Sequence, residues 1–311
     1  MGARFASSVA VAGSPLSGSR TGVYVLDGDA NRLVYRDRRA DSVSSGSVLQ
    51  PFAYYDTIRS SPDGSTRISA YKIPDTGLPA ILALGSSGLI FETFRQGNDW
   101  TSWQSLALPS AGVVADMDVA SDRNGIPTLF AVTSASGGAL YFNKRNAIGQ
   151  NTSWPNNWTL ISDEDGTYIY SRVTAIRHHG DQSNQVWTLT TTGAIRTATE
   201  TALNSWGTVS SFPLPSLHWY ERIVDIDAAW STAQTALLVA LSSEGRSWYC
   251  EATLRAGRQS HRVKGEAKSP CRVEHLQDVS SGALRFLDDD PPQPDDSGCT
   301  EKQGCHHRRI R

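Results

Sequence analysis

One short pattern recurs along the chain and restricts its fold more than any other feature of the sequence. Each copy holds a run of β-branched, aliphatic or aromatic residues, then a short polar segment, then a second apolar run. This order is typical of two antiparallel strands joined by a tight turn. Five copies occupy residues 23–35, 81–91, 129–142, 186–196 and 237–248. The chain is therefore expected to repeat one hairpin unit.

The turns of these hairpins carry residues that tolerate a positive φ, which a two-residue hairpin loop requires. They are Asn31, Gly88, Gly138, Gly193 and Gly245, which lie 50 to 57 residues apart. One four-stranded β-propeller blade takes roughly 40 to 50 residues. The spacing predicts an all-β propeller of about five or six four-stranded blades, forming a single domain over residues 21–287. A weaker copy at residues 279–286 favours six blades.

Two further kinds of segment accompany the hairpins. Runs of alternating character precede four of them, at residues 66–71, 114–120, 172–177 and 222–229. Because a period of two places successive side chains on opposite faces of a strand, we expect these runs to be innermost strands beside a central channel. Tryptophan-bearing segments follow the hairpins, around Trp100, Trp154, Trp158 and Trp206. They are expected to form the outer strand and the loop that leads into it.

The ends of the chain differ in composition from the repeats. Residues 1–20 form an N-terminal segment, and residues 288–311 begin with an acidic, proline-rich run that predicts a flexible tail. All four cysteines lie in the last quarter, where they suit one or two disulfides of an oxidising compartment or free thiols.

Asn151 and Asn157 begin N-glycosylation sequons. With the cysteines, they predict a secreted glycoprotein. The apolar stretch at residues 9–12 is too short for the core of a signal peptide. Either the sequence starts after cleavage or the protein stays inside the cell.

Charge and hydropathy exclude several classes of partner. The net charge is −2, with 29 basic and 31 acidic residues, so no basic field favours nucleic acid. No apolar run approaches the ~18 residues that span a bilayer, so no membrane span is predicted. Adjacent His178 and His179 would point to opposite faces of a strand, and no phosphate-loop or zinc-protease motif occurs. Neither a metal nor another cofactor is predicted.

Three residues suited to sugar recognition follow one another within the second repeat. Arg67 lies on the predicted inner strand, Glu92 lies on the second hairpin strand, and Trp100 follows soon after. With these residues and its repeats, the chain resembles the fungal fucose-specific lectins and, more loosely, the tectonin-like propeller lectins. The resemblance implies clefts between blades that bind fucose-type or related glycans through Arg67, Glu92 and Trp100.

The chemistry of these residue types agrees with that implication. A sugar ring has an apolar CH face and a rim of hydroxyls, so its pocket needs an aromatic plane and multidentate hydrogen-bonding groups. Trp103 is a further candidate in the same repeat, and a second set with altered spacing comprises Arg222, Trp248 and Glu251. The structural interpretation is that the tryptophans pack between blades and that Arg67 pairs with Glu92.

The inner strands support a second hypothesis, an enzyme with a single site in the central channel. The aspartates of two inner strands share a face by the period-two rule, where they suit cation binding or acid–base chemistry. The candidates are Asp116, Asp118, Asp225, Asp227, Arg172, Arg222 and His178. Such an enzyme would be a lyase, hydrolase or cyclase of a fungal biosynthetic pathway.

Three functions therefore stay open, since propellers serve many roles and fold alone does not decide between them. They are a lectin, an enzyme and a protein-interaction scaffold. The ordered trio favours the non-catalytic lectin. The expected partners are glycans or a small-molecule ligand, with a homodimer as a further expectation.

Overall fold

The computed structural model describes residues 6–12, 21–27, 32–38, 56–60, 62–96, 99–122, 124–134, 138–146, 153–163, 168–177, 183–212, 217, 220–232 and 235–253. They belong to the first of two compact units, residues 1–275, and the second unit, residues 276–311, lies outside them. Their one helical element is a single 3-10 turn at Pro62–Gly64, and no helix among them could cross a membrane. The sixth copy and the tail predicted from sequence lie outside the described residues.

Five antiparallel sheets follow one another along the chain, and each is termed a blade. Blade 1 contains β1 (Ala6–Ala12), β2 (Thr21–Asp27), β3 (Arg32–Arg38) and β4 (Asp56–Ser60). Blade 2 contains β5 (Arg67–Lys72), β6 (Pro79–Leu84), β7 (Ile90–Gln96), β8 (Asp99–Trp100) and β9 (Gln104–Ser105). Blade 3 contains β10 (Val114–Ser121), β11 (Pro127–Thr133), β12 (Leu140–Lys144) and β13 (Thr159–Leu160).

Blade 4 contains β14 (Tyr170–Arg177), β15 (Asn184–Thr190), β16 (Ile195–Ala202), β17 (Ser205–Trp206) and β18 (Ser210–Ser211). Blade 5 contains β19 (Ile223–Thr232), β20 (Thr235–Ser242) and β21 (Ser247–Thr253). In blades 2 and 4 the outer edge is divided into two short strands that pair with the same neighbour. The strands that carry Trp100 and Trp206 lie at this edge, as predicted.

The predicted hairpins form the second and third strands of every blade. Their turn glycines adopt positive φ angles of 80° at Gly88, 46° at Gly138, 88° at Gly193 and 74° at Gly245. The turn chemistry predicted at these four positions is confirmed, because only glycine adopts this conformation without strain. Asn31 lies outside the described residues.

The first strand of each blade is its innermost strand. Along the series β1, β5, β10, β14 and β19, each strand contacts the first strand of the next blade. The inner position predicted for the alternating segments is confirmed for blades 2 to 5. Blade 1 begins earlier than the repeats indicated, because β1 lies within residues 1–20 and pairs with β2.

The hydrophobic core lies between the blades rather than within one face of a single sheet. Four buried clusters each join two consecutive blades. In β6, Leu82 belongs to the cluster shared with blade 3, whereas Ile81 and Ala83 belong to the cluster shared with blade 1. A strand covered on both faces needs apolar residues at every position, which explains the unbroken apolar sequence of Pro79–Leu84.

The hairpin turns also contact the next blade directly. Val114 N donates to Gly88 O at 3.0 Å, and Tyr170 N donates to Gly138 O at 3.1 Å. A Cβ added to Gly88 would lie 2.7 Å from Val113 Cβ and 2.9 Å from Val114 O. Glycine at this turn therefore permits both the positive φ and the close approach of blade 3.

Replacement of this turn glycine should weaken the contact between blades 2 and 3. Gly88→Ala should lower the free energy of unfolding by about 3 kcal/mol, combining left-handed strain with overpacking. Gly245→Ala is the matched control, because Gly245 has a similar φ but, among the described residues, no atom within 4 Å of an added Cβ. It should cost only about 1 kcal/mol. Equal losses in urea unfolding of the two variants would contradict the role of the close approach.

Candidate functional site

Residues that the sequence analysis grouped into one sugar site lie on opposite faces of blade 2. Register pairs Trp100 with Arg95. The Trp100 ring packs on the side of blade 1, where it meets Tyr24 edge-on with ring centroids 6.1 Å apart. Trp103 packs against the same cluster. Both tryptophans therefore lie on the face opposite to that of Glu92, whose contacts are with blade 3.

Arg67 and Glu92 share the face toward blade 3 but bind different partners. Register places Arg67 opposite Leu84 and Glu92 opposite Leu82. They are thus two strand spacings of ~4.8 Å apart across the sheet and offset by two residues along it. Arg67 Nε binds Asp116 at 3.0 Å. The prediction that Arg67, Glu92 and Trp100 share one pocket is wrong, because sheet geometry divides them.

Glu92 is instead the centre of a cluster at the interface of blades 2 and 3. Its Oε1 accepts hydrogen bonds from Tyr71 Oη, from Arg145 Nη1 at 2.5 Å and from Trp154 Nε1 at 2.9 Å. Tyr71 belongs to β5, whereas Arg145 and Trp154 belong to blade 3. The rings of Tyr71 and Trp154 meet edge-on at 5.8 Å, and the Arg145 guanidinium lies 5.5 Å and 5.7 Å from their centroids. The cluster combines a carboxylate, a guanidinium, a phenol and an indole.

The cluster is secluded from solvent, and this changes the acidity of its members. Glu92, Tyr71, Arg145 and Trp154 are each less than a tenth exposed. Burial raises the pKa of Glu92 to about 7, opposed by the hydrogen bond from Trp154, and burial lowers the pKa of Arg145 to about 10.

The three donors leave one oxygen of Glu92 uncommitted. Within the described part of the chain, no donor bonds Glu92 Oε2, since every hydrogen bond of this carboxylate goes to Oε1. A carboxylate oxygen offers two acceptor sites. Glu92 is thus held in place through one oxygen and can accept a ligand hydroxyl with the other.

The segment around Trp154 connects this cluster to the surface. Asn156 and Asn157 are exposed, and Trp158 is partly buried. Trp158 Nε1 donates to Ala107 O at 2.8 Å, and its ring packs beside Leu106 and Leu108. The segment that supplies Trp154 to the cluster therefore also carries a partly buried aromatic ring and two exposed amides.

The second predicted set does not form a comparable site. Trp248 is buried in the core between blades 4 and 5, and Arg246 stacks over it at 5.3 Å. Arg222 is exposed beside the hairpin turn of blade 4, 3.0 Å from the Cβ position of Gly193. Glu251 lies in β21, but its side chain is outside the described residues. The structure does not bring Arg222 and Trp248 together.

The channel residues form an alternating charged layer. At one register position, the inner strands of blades 2 to 5 carry Arg67, Asp116, Arg172 and Asp225 in turn. Arg67 binds Asp116 at 3.0 Å and Asp225 at 3.8 Å, and Arg172 binds Asp225 at 3.4 Å. Asp116 also accepts a hydrogen bond of 2.8 Å from Val173 N.

A second layer, two residues further along each strand, alternates hydroxyls with carboxylates. It consists of Ser69, Asp118, Thr174 and Asp227. Asp118 accepts from Ser69 Oγ at 2.7 Å and from Thr174 Oγ1 at 3.3 Å, and Thr174 lies equally close to Asp227. Burial and the neighbouring Asp118 charge raise the pKa of Asp227.

These contacts give the channel charges a structural role in joining blades. The structure brings Asp116, Asp118, Asp225, Asp227 and Arg172 close together on the inner strands, and a catalytic role for them stays a prediction. Arg222 lies at the blade end instead, and His178 is outside the described residues. No group of three metal-ligating side chains suited to a metal occurs in the described chain.

Sequence reasoning missed Tyr71, Arg145 and Trp154 as partners of Glu92. One sequence signal pointed to Trp154, because this residue belongs to the tryptophan-bearing segments that follow the hairpins. Arg145 follows the last residue of β12, and its contact with Glu92 spans 53 residues. Such a contact follows only from the packing of one blade on the next.

Channel burial should make stability depend on pH. Burial raises the pKa of Asp116 to about 7 despite the charge of Arg67, so the folded state holds a proton that the unfolded state releases near pH 4. Its contribution to stability is complete below about pH 4 and is lost as pH rises through about 7. Asp116→Asn should reduce the fall in unfolding free energy between pH 5 and pH 8 by at least ~1 kcal/mol. An unchanged pH profile in urea unfolding would contradict this account.

Comparison with known proteins places the fold. No protein-family model matches the chain, and no curated protein sequence matches it. Among solved structures, the chain is similar to the six-bladed β-propeller lectin of Aleuria aurantia at 16% identity, covering 88% of this chain and 78% of that one with a TM-score of 0.51. The Burkholderia pseudomallei lectin BP39L gives 14% identity, coverages of 82% and 69% and a TM-score of 0.54.

A protein of unknown function from Dyadobacter fermentans is equally similar in structure. It shares 8% identity, with coverages of 79% and 78% and a TM-score of 0.54. At these identities the similarity concerns the fold alone. The chain therefore has the β-propeller fold predicted from its repeats, the architecture of the fucose-lectin propellers.

Proposed function

We propose that the protein is a lectin-like carbohydrate-binding protein whose site is the cleft between blades 2 and 3. The observation that carries the proposal is the state of Glu92. Tyr71, Arg145 and Trp154 all bond one oxygen of this carboxylate, and the other oxygen accepts no hydrogen bond within the described chain. A fixed carboxylate with one oxygen free of protein hydrogen bonds is suited to a sugar hydroxyl.

Aromatic groups in the same cleft supply the second requirement of a sugar site. Trp154 donates to the Glu92 carboxylate, and Trp158 packs against the core cluster of the same interface. Indole rings pack against the CH face of a sugar, and the exposed amides of Asn156 and Asn157 can bond its outer hydroxyls. Because Trp154 is 7% exposed, a ligand would enter by displacing this part of the loop outward.

Fucose-type glycans are the first candidates for the ligand. The solved lectin of Aleuria aurantia is described as having a novel fucose recognition mode. This chain shares the blade architecture of that lectin, and Glu92 is one of the three residues, with Arg67 and Trp100, on which the sequence resemblance rested. A glycan ligand also suits the predicted secretory location, which stays part of the proposal, as do the sequons and a homodimer.

The proposal implies one such site per chain among the described blades. The residue four positions after the turn glycine is Glu92 in blade 2, but Phe142, Thr197 and Tyr249 in blades 3 to 5. Phe142 lies opposite Phe130, as Glu92 lies opposite Leu82. Since these residues lack a carboxylate, strong avidity from repeated sites is not expected.

Removal of the Glu92 charge tests the proposal. The purified protein should bind fucosylated glycans on an array, and Glu92→Gln should weaken that binding by about 10- to 100-fold, because a charged hydrogen bond is lost. Glu221→Gln is the matched control, since Glu221 is a buried carboxylate paired with Arg246 in blade 5. It should bind like the unmodified protein.

Two outcomes would contradict the proposal. One is the absence of binding to any glycan on the array by protein with native circular dichroism. The other is equal binding by Glu92→Gln and the unmodified protein, which would locate carbohydrate binding elsewhere.

A further inference from the structure

A second concave site lies at the other end of the interface between blades 2 and 3. This groove has a volume of about 330 Å³, and its lining includes Thr66, Ser86, Ser87, Val113, Ala115 and Ser134. It is at the hairpin-turn end of β6, beside Leu84, whereas Tyr71 of the Glu92 cluster pairs with Ala80 near the start of β6. The groove is thus separate from the proposed lectin cleft.

The four hydroxyls of the groove all have their protons committed to the protein. The bonds run from Ser86 Oγ to Asp63 O at 2.9 Å, from Ser87 Oγ to Asp63 Oδ2, from Ser134 Oγ to Val113 O at 3.2 Å, and from Thr66 Oγ1 to Leu84 O at 3.4 Å. A hydroxyl has one donor and two acceptor lone pairs. These oxygens therefore face a ligand as acceptors, and a suitable ligand must bring several donors.

The rest of the lining limits the ligand further. No described residue that lines the groove is charged, so a charged ligand would lose hydration without an ion pair in return. Val113 is 42% exposed and gives the groove an apolar wall, and the adjacent Leu89 is 38% exposed. The volume is at the lower end of the ~300 to 1,000 Å³ of small-molecule pockets, which suits one ring rather than an oligosaccharide.

We infer that this groove binds a small, uncharged, polyhydroxylated ring such as a neutral monosaccharide or cyclitol. Hydroxyl donors of the ring meet the acceptor oxygens of Ser86, Ser87 and Ser134. Its CH face lies on Val113. This site does not depend on the Glu92 cleft, and it would add a second contact for a glycan-binding protein.

Ser134 and Ser243 occupy equivalent backbone positions in blades 3 and 5, so they give a matched pair of variants. Ser134 N donates to Val113 O at 2.9 Å, and Ser243 N donates to Arg222 O at 2.8 Å, the same bond in blade 5. Both serines are exposed. Ser134→Phe fills the groove, whereas Ser243→Phe places the same ring at an equivalent turn outside it.

Saturation-transfer difference NMR with methyl α-L-fucoside, methyl β-D-glucoside and myo-inositol tests the inference. Glu92→Gln is included as background to remove the proposed lectin cleft. In that background, at least one probe should give a difference signal that survives Ser243→Phe and falls at least about fivefold with Ser134→Phe. Circular dichroism checks that each variant folds.

If Ser134→Phe does not fold, Ser87→Ala replaces it, with Ser243→Ala as control. Loss of one acceptor should weaken probe binding about three- to tenfold in Ser87→Ala only. The inference is overturned if no probe binds the Glu92→Gln protein, or if binding is insensitive to groove variants. Either result leaves the Glu92 cleft to be judged by its own glycan-array test.

Discussion

The close approach of the hairpin turns of blades 2 to 4 to the next blade is the constraint on which the rest of the structure depends. Gly88 and Gly138 both accept a backbone hydrogen bond from the start of the following inner strand. Side chains at these turns would meet the backbone of the neighbouring blade. The separation between blades is thereby fixed at its inner end, and the buried clusters fill the space that remains. Both the Glu92 cleft and the hydroxyl-lined groove lie in the interface that Gly88 sets.

Charge alternation in the channel follows from the same arrangement. Once the blades are aligned by their turns, equivalent positions on neighbouring inner strands come together. Arg67, Asp116, Arg172 and Asp225 then alternate in sign, so the buried Asp116 has an opposite charge beside it and the partly exposed Asp225 has two. This pairing accounts for conspicuous carboxylates and arginines in a channel without assigning them catalysis. It also leaves the Glu92 cluster as the buried carboxylate with an uncommitted oxygen within the described blades.

Local features of the fold could be predicted from sequence because their causes are local. The turn glycines and the alternation of the inner strands depend on φ preferences and side-chain period. The residues of the candidate site could not be predicted in the same way, because they come from different faces and different blades. Trp100 follows Glu92 in sequence but lies on the other face of the sheet, and Arg145 and Trp154 come from the following blade. Their meeting depends on how two blades pack, which neither period nor spacing encodes.

Equivalent backbone positions in different blades also carry residues of different chemistry. The residue four positions after the turn glycine is Glu92 in blade 2 but Phe142 in blade 3, where it lies opposite Phe130. The central claim is that a glycan binds at the Glu92 cleft between blades 2 and 3. Its most direct test is a ¹⁵N spectrum of the nine tryptophan indoles during titration with a fucosylated glycan. The account predicts that the Trp154 and Trp158 signals shift while those of Trp100 and Trp248 do not. Shifts confined to Trp100 or Trp248, or no shift at all, would contradict it.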